Sequence, residues 1–308
     1  MKTVTGTVLA GAAVLALGGC GLVSTGGTRH AERTYDVAGT SRGLDVRANG
    51  AVEIVGADTD KVTVRERERW SNDRNKPRPT HAVRDGVLTL ASHCKHAVFG
   101  GACGVRYRIT VPRALAVTVN DNDGAITVRD ATGTLNLTTN TGTINAENLG
   151  ASALTARSGD GRIRVSGKVG KASLRTSTGA IDAEQLESTS FTASTGDGAV
   201  RVAGRADQAE LRTNTGSIHS TGLRSDRLTV RTGDGSVRLA FTVPPTRVDA
   251  RTSTGSIYLT LPATAAYAID TETNTGGRRI DDALRRDSAA SRHLDLRTGD
   301  GSITVRAA

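Results

Sequence analysis

From about residue 116 onward the chain alternates apolar and polar residues with a period of two, in short runs that pivot on glycine. Apolar residues stand two and four positions after each pivot, as in Ile163 and Val165 or Val237 and Leu239, with polar residues between them. A second alternating run precedes each pivot, as in Leu154-Thr155-Ala156 and Leu228-Thr229-Val230. Period two with one apolar face is the mark of a half-buried strand, so each unit supplies about two short strands joined by a glycine turn. No segment of the array carries helical spacing.

The pivots are Gly124, Gly142, Gly161, Gly179, Gly198, Gly216, Gly235, Gly255, Gly276 and Gly301, most of them 18 or 19 residues apart. A fixed period of this length predicts an all-β solenoid, resembling a single-stranded β-helix, in which each coil buries its apolar face against its neighbours. The residue before the pivot alternates in kind. Asp123, Asp160, Asp197, Asp234 and Asp300 belong to D-G units; Thr141, Thr178, Thr215, Thr254 and Thr275 belong to T-G units. Stacked coils lie about 4.8 Å apart, so placing threonine in every second coil separates the aspartates to about 9–10 Å.

Two further positions share the two-coil rhythm. Seven and five residues before the pivot the pairs run Leu154/Ala156, Ala172/Leu174, Phe191/Ala193, Ala209/Leu211, so large and small side chains interdigitate between layers. Three residues after it, Arg164, Asp182, Arg201, His219 and Arg238 follow one another, which predicts Asp182 between two arginines. The pivot glycine itself is expected to supply a positive φ.

The block before the array is less regular. Strands are expected at Leu44–Val46 and Val52–Ile54, and across VTVRERERW from Val62, whose Arg65, Arg67 and Arg69 share one face. This block, residues 41–115, is expected to cap a solenoid of residues 116–308. The segment GGRRIDDALRRDSAASRH from Gly276 reads as a charged loop or short helix.

The first residues change the picture from fold to location. Lys2 precedes an apolar stretch, Val4 to Leu17, that is too short to span a bilayer, which takes about 20 residues. Leu17-Gly18-Gly19-Cys20 resembles the lipobox of bacterial lipoproteins, which implies a signal peptide over 1–19 and diacylglycerol on Cys20. Residues 20–40 are then the lipidated cysteine and a flexible tether. The lipid would be the membrane attachment, on the extracytoplasmic face of the cell membrane.

Cys94 and Cys103, outside the membrane, are most simply a disulfide, and closing that loop contributes about 2–3 kcal/mol on the chain-entropy model. His93 and His96 leave a metal alternative open, although the spacing fits no common zinc pattern. No cofactor or resident metal is expected. RTX-type calcium repeats use a nonapeptide that this period does not match.

A net charge of +9 permits attraction to anionic lipid or envelope polymers. Dispersed cations and 3% aromatic residues are not the pattern of a nucleic-acid surface. Aspartates such as Asp197 and Asp234 approach the carboxylate separation of an inverting glycosidase, about 6.5–9.5 Å. Recurrence in every second coil, however, marks turn chemistry rather than a local catalytic pair.

The lipobox, the cysteine-bracketed loop and the TGDGxIxV/TxTGxI array together resemble a bacterial putative-adhesin family, a domain of unknown function frequent in actinobacterial β-solenoid lipoproteins. The resemblance spans roughly Leu44 to Ala308 and brings no catalytic residues with it. It implies a non-enzymatic surface protein for adhesion or envelope interaction, with an envelope signalling accessory as the alternative.

Overall fold

The computed structural model describes residues 23–25, 27–94 and 102–308. The expected signal peptide and Cys20 lie outside the described residues, as does His96. Among the described residues the chain is built from strands, with one 3-10 turn at Asp73–Asn75. No helix there is long and apolar enough to cross a membrane.

The repeats form parallel coils in register. Each coil has a first leg ending before its pivot glycine and a second leg starting two residues after it. Leu154, Ala172, Phe191 and Ala209 lie side by side on successive first legs, and Ala156, Leu174, Ala193 and Leu211 beside them. All eight are buried. The predicted interlocking of large and small residues is therefore the packing of the core. On the second legs Ile144, Ile163, Ile181, Val200, Ile218 and Val237 form a matching buried column.

Three expectations are corrected. The pivot glycines are not placed chiefly for positive φ. Gly124, Gly142, Gly161, Gly179 and Gly198 have none, while the later pivots do, from +120° to +158°. What all share is close approach. A Cβ on Gly142 would stand 1.8 Å from the Gly124 carbonyl oxygen, and one on Gly161 the same distance from that of Gly142. Glycine stacks on glycine because no side chain fits between coils. The left-handed bend lies six residues after the pivot, at Asp130, Asn148, Gly167, Gln185, Gly204 and Gly222, with φ from +52° to +120°.

Part of the segment expected as a flexible tether is strand. Thr28–Val37 is a strand that pairs antiparallel with Val62–Trp70, and Val23–Thr25 pairs back onto it. The alternation His30, Glu32, Thr34 against Ala31, Arg33, Tyr35 is strand patterning that small flanking residues mask.

The boundary at residue 116 is not a boundary in the fold. Gly43–Ala48 and Val52–Ala57 are already a coil, stacked on the coil of Ala116–Asp121 and Ile126–Arg129. Its other side is covered by Val87–His93 and Cys103–Pro112. Antiparallel strands Arg78–Arg84 and Val62–Trp70 then close that end. The chain thus starts one coil in, builds outward, and returns beneath.

The far end repeats the device. The segment from Gly276 is not helical; it holds the short strands Arg278–Ile280 and Arg285–Arg286 with turns between. The last coil, His293–Asp300 and Ile303–Ala307, does not sit outermost. It is inserted between Arg247–Leu261 and Ala266–Ile280, pairing with both. In chain order two T-G units, Thr254 and Thr275, are adjacent. In space Asp300 stands between them, so the Asp/Thr alternation is unbroken.

Candidate functional site

The turn edge of the solenoid is occupied by stacking. Three residues before each pivot a hydroxyl faces inward: Thr139, Ser158, Thr176, Thr195, Thr213, Thr232, Thr252 and Thr298 are all buried. Each donates to the pivot carbonyl of the coil beside it, as Thr195 does to Gly179 at 2.9 Å and Ser158 to Gly142 at 2.9 Å. At the inserted coil Thr298 reaches back to Gly255 at 2.8 Å, and Thr273 reaches Gly301 at 2.8 Å. This hydroxyl column was visible in the T-x-x-G spacing, but its role was not, because a buried threonine and a solvated one look alike in a β repeat.

The column begins with an exception. Asp121 takes the hydroxyl position, is 5% exposed, accepts from Gly50 N at 3.2 Å through Oδ1, and leaves Oδ2 without a partner. Burial pushes its carboxyl above the usual aspartate range.

The outward aspartates meet threonines. Thr141 donates to Asp123 at 3.2 Å and Thr178 to Asp160 at 3.0 Å. Asp197 and Asp234 each lie in register with Thr215. Asp123 and Asp160 are hydrogen-bonded turn residues, and Asp197 and Asp234 hold the same place in the ladder.

Outward residues of the second legs form the expected charge row. Asp182 lies 3.2 Å from Arg201 and 3.9 Å from Arg164, with Arg162 at 3.5 Å. Asp182, Arg164 and Arg201 line a shallow depression of about 420 Å³ that opens to solvent.

A second row had not been anticipated. Four residues before the pivot, on the outer face of the first legs, Arg157 and Arg175 are adjacent, Ser194 follows, and Arg212, Arg231, Arg251 and Arg297 occupy four successive coils. Arg212, Arg251 and Arg297 have carboxylates nearby, including Glu210, Asp249 and Asp295. Among the described residues Arg157, Arg175 and Arg231 have none within ion-pair distance. The undescribed segments carry no Asp or Glu that could serve.

A further cationic surface lies on the N-terminal cap. Arg65, Arg67 and Arg69 project outward from one strand, and Arg106 and Arg108 from its antiparallel neighbour. Arg65 faces Arg108 directly, and Arg67 faces Arg106. Glu32 accepts from Arg65 and, at 3.2 Å, from Arg67, which holds its carboxyl below the usual range. Glu53 lies 2.9 Å from Arg108 and 3.3 Å from Arg129. The inward residues of the same strand are Glu66 and Glu68, 4% and 1% exposed. Tyr35 donates to Glu66 at 3.3 Å, and burial raises that carboxyl. Arg33 stands 3.6 Å from Glu68. These two carboxylates are buried beneath the sheet.

Cys94 and Cys103 are joined, with Cα atoms 5.9 Å apart, so their sulfurs are committed to each other rather than to a metal. The loop between them, residues 95–101, lies outside the described residues. Among the described residues no group of three or more His, Cys, Asp and Glu could hold a metal ion.

No curated protein matches the sequence. A solved structure from Parabacteroides distasonis, described as a putative adhesin, is similar with a TM-score of 0.51 at 16% identity, over 91% of this chain and 97% of that one. A putative adhesin from Bacteroides fragilis gives a TM-score of 0.42 at 16% identity, over 90% and 97%. One from Parabacteroides merdae gives 0.43 at 13%, over 90% and 96%. The first of these shares the fold. The family model described as Toastrack DUF4097 matches residues 43–306, which takes in the early coil, the cap strands, the whole array and the inserted last coil, and the chain belongs to that family.

Proposed function

We propose that this protein is a non-enzymatic surface rod of the cell envelope, anchored by lipid on Cys20 and binding anionic envelope polymers along its flank. The observation that carries the reading is the arginine row of the first legs. Parallel in-register pairing sets Arg212, Arg231, Arg251 and Arg297 about 4.8 Å apart, one per coil. Like charges directly opposite on neighbouring strands destabilise a sheet. Glu210, Asp249 and Asp295 answer Arg212, Arg251 and Arg297, while Arg157, Arg175 and Arg231 have no carboxylate within ion-pair distance among the described residues. Stacking accounts for the glycines, the hydroxyl column and the Asp/Thr edge, but it opposes this row. A linear polyanion lying across the coils would neutralise it. The fold shared with a protein described as a putative adhesin is consistent with surface attachment.

The test is retention of the mature chain on whole cells and on purified wall polymers. Retention above that of an unrelated lipoprotein, lost in R175Q/R231Q, is the expected result. Equal retention of that variant, or none by the parent, overturns it. Fatty-acid labelling that disappears in Cys20→Ser checks the anchor separately.

A further inference from the structure

We propose that the arginine face of the N-terminal cap docks the rod against an anionic phospholipid surface. The proposal rests on the anchored-rod reading only for which surface lies nearest.

The charge is concentrated and incompletely answered. Five arginines, Arg65, Arg67, Arg69, Arg106 and Arg108, stand on two adjacent strands, with Glu32 and Glu53 as the carboxylates bonded to them. Among the described residues Arg69 and Arg106 have no carboxylate within ion-pair distance, and residues 1–22, 26 and 95–101 contain no Asp or Glu. His30 lies directly across from Arg69, and the two help line a groove of about 740 Å³ together with Arg67 and Arg106. Two arginine pairs face each other across antiparallel strands, an arrangement that sheet stability disfavours.

The position selects the occupant. Val23 is in register with His30, and His30 with Arg69, so Val23 stands two strands from an arginine that has no carboxylate partner among the described residues. Cys20 is three residues before Val23, a span of at most about 10 Å. Lipid at Cys20 therefore keeps the headgroup layer within reach of this face, while the flank row extends along the coils away from it. Arginine guanidinium groups pair well with phosphate oxygens, in bidentate geometry where the approach allows.

The test uses the mature chain from residue 20 carrying Cys20→Ser, without lipid, in sedimentation with vesicles of phosphatidylcholine alone or with 30% phosphatidylglycerol. Binding to the anionic vesicles only, suppressed in 0.5 M NaCl, is expected. R69Q/R106Q should weaken it by roughly fivefold per arginine, with an unfolding midpoint no lower than the parent's. R285Q/R286Q removes the same charge at the opposite end of the rod and should leave binding unchanged. No binding to anionic vesicles overturns the proposal, as does equal loss in both variants. A further arm adds soluble polyglycerol phosphate. Capture of the polymer through Arg69 and Arg106, without vesicle binding, assigns the face to a wall polymer and overturns the membrane docking. Because the chain is unlipidated, this result is independent of whether Cys20 is acylated.

Discussion

Thr275 donates a hydrogen bond of 2.8 Å to Asp300, the contact that Thr178 makes with Asp160 at 3.0 Å. In the second pair the threonine follows the aspartate along the chain; in the first it precedes it by 25 residues. The reversal follows from the inserted last coil. Thr273 donating to Gly301, where every other hydroxyl reaches back to an earlier glycine, carries the same signature. The degenerate unit at Gly276 then makes sense as a terminal one. Among the described residues its outer side pairs only with the short strand Arg285–Arg286, at Ala266 and Tyr267, and its inward positions Ile269 and Thr271 are only half-buried.

The hydroxyl column should carry measurable stability. Thr195 is 4% exposed and donates to Gly179 at 2.9 Å. Replacing it by valine keeps the volume and leaves a buried carbonyl without that donor, a loss of about 1–3 kcal/mol. Thr195→Ser should retain most of the stability. Urea unfolding of the two variants decides the point, and equal midpoints for valine and threonine would remove the column from the account.

Asp121 gives a pH dependence whose sign is fixed. Its folded pKa is raised above the unfolded value, chiefly by burial and further by Asp123. The native state therefore favours the protonated carboxyl, and that contribution is complete below the unfolded pKa and lost as pH rises through the folded one. Asp121→Thr, the residue used elsewhere in the column, should be more stable than the parent at pH 7 by about 1–3 kcal/mol. The advantage should shrink as pH falls through the carboxylate range. Unfolding midpoints of the two proteins across pH 3 to 7 would show it; a constant difference would contradict it.

The charge row around Asp182 should matter little and only at low salt. Its partners Arg164 and Arg201 are about half exposed. Asp182→Asn should cost at most about 1 kcal/mol, and the difference should vanish near 1 M salt. A larger, salt-independent loss would mean that Asp182 serves packing instead.

The contrast between these positions shows what the sequence could disclose. Interlocking Leu154/Ala156 and Ala172/Leu174, the Asp/Thr edge and the place of Asp182 were legible because each follows from period, charge and strand spacing alone. The role of the pivot glycines was misjudged, since close approach between coils is a property of the stack and not of a single turn. The inserted coil left one trace, the adjacent T-G units at Thr254 and Thr275, which breaks the rhythm in one dimension and restores it in three. The cap's arginine face was half visible. VTVRERERW placed Arg65, Arg67 and Arg69 together, but Arg106 and Arg108 join them only through long-range antiparallel pairing, which no local pattern encodes.

The order of the last coils decides whether the far end of the stack is capped or left as an open edge. In Cys20→Ser chains, paired cysteines at Tyr258 and Thr304, register partners on neighbouring second legs, should cross-link readily under mild oxidation. A pair at Tyr258 and Arg279, separated in space by the inserted coil, should not. Cross-linking of the second pair in place of the first would mean that the coils stack in chain order, and the closed rod described above would be wrong.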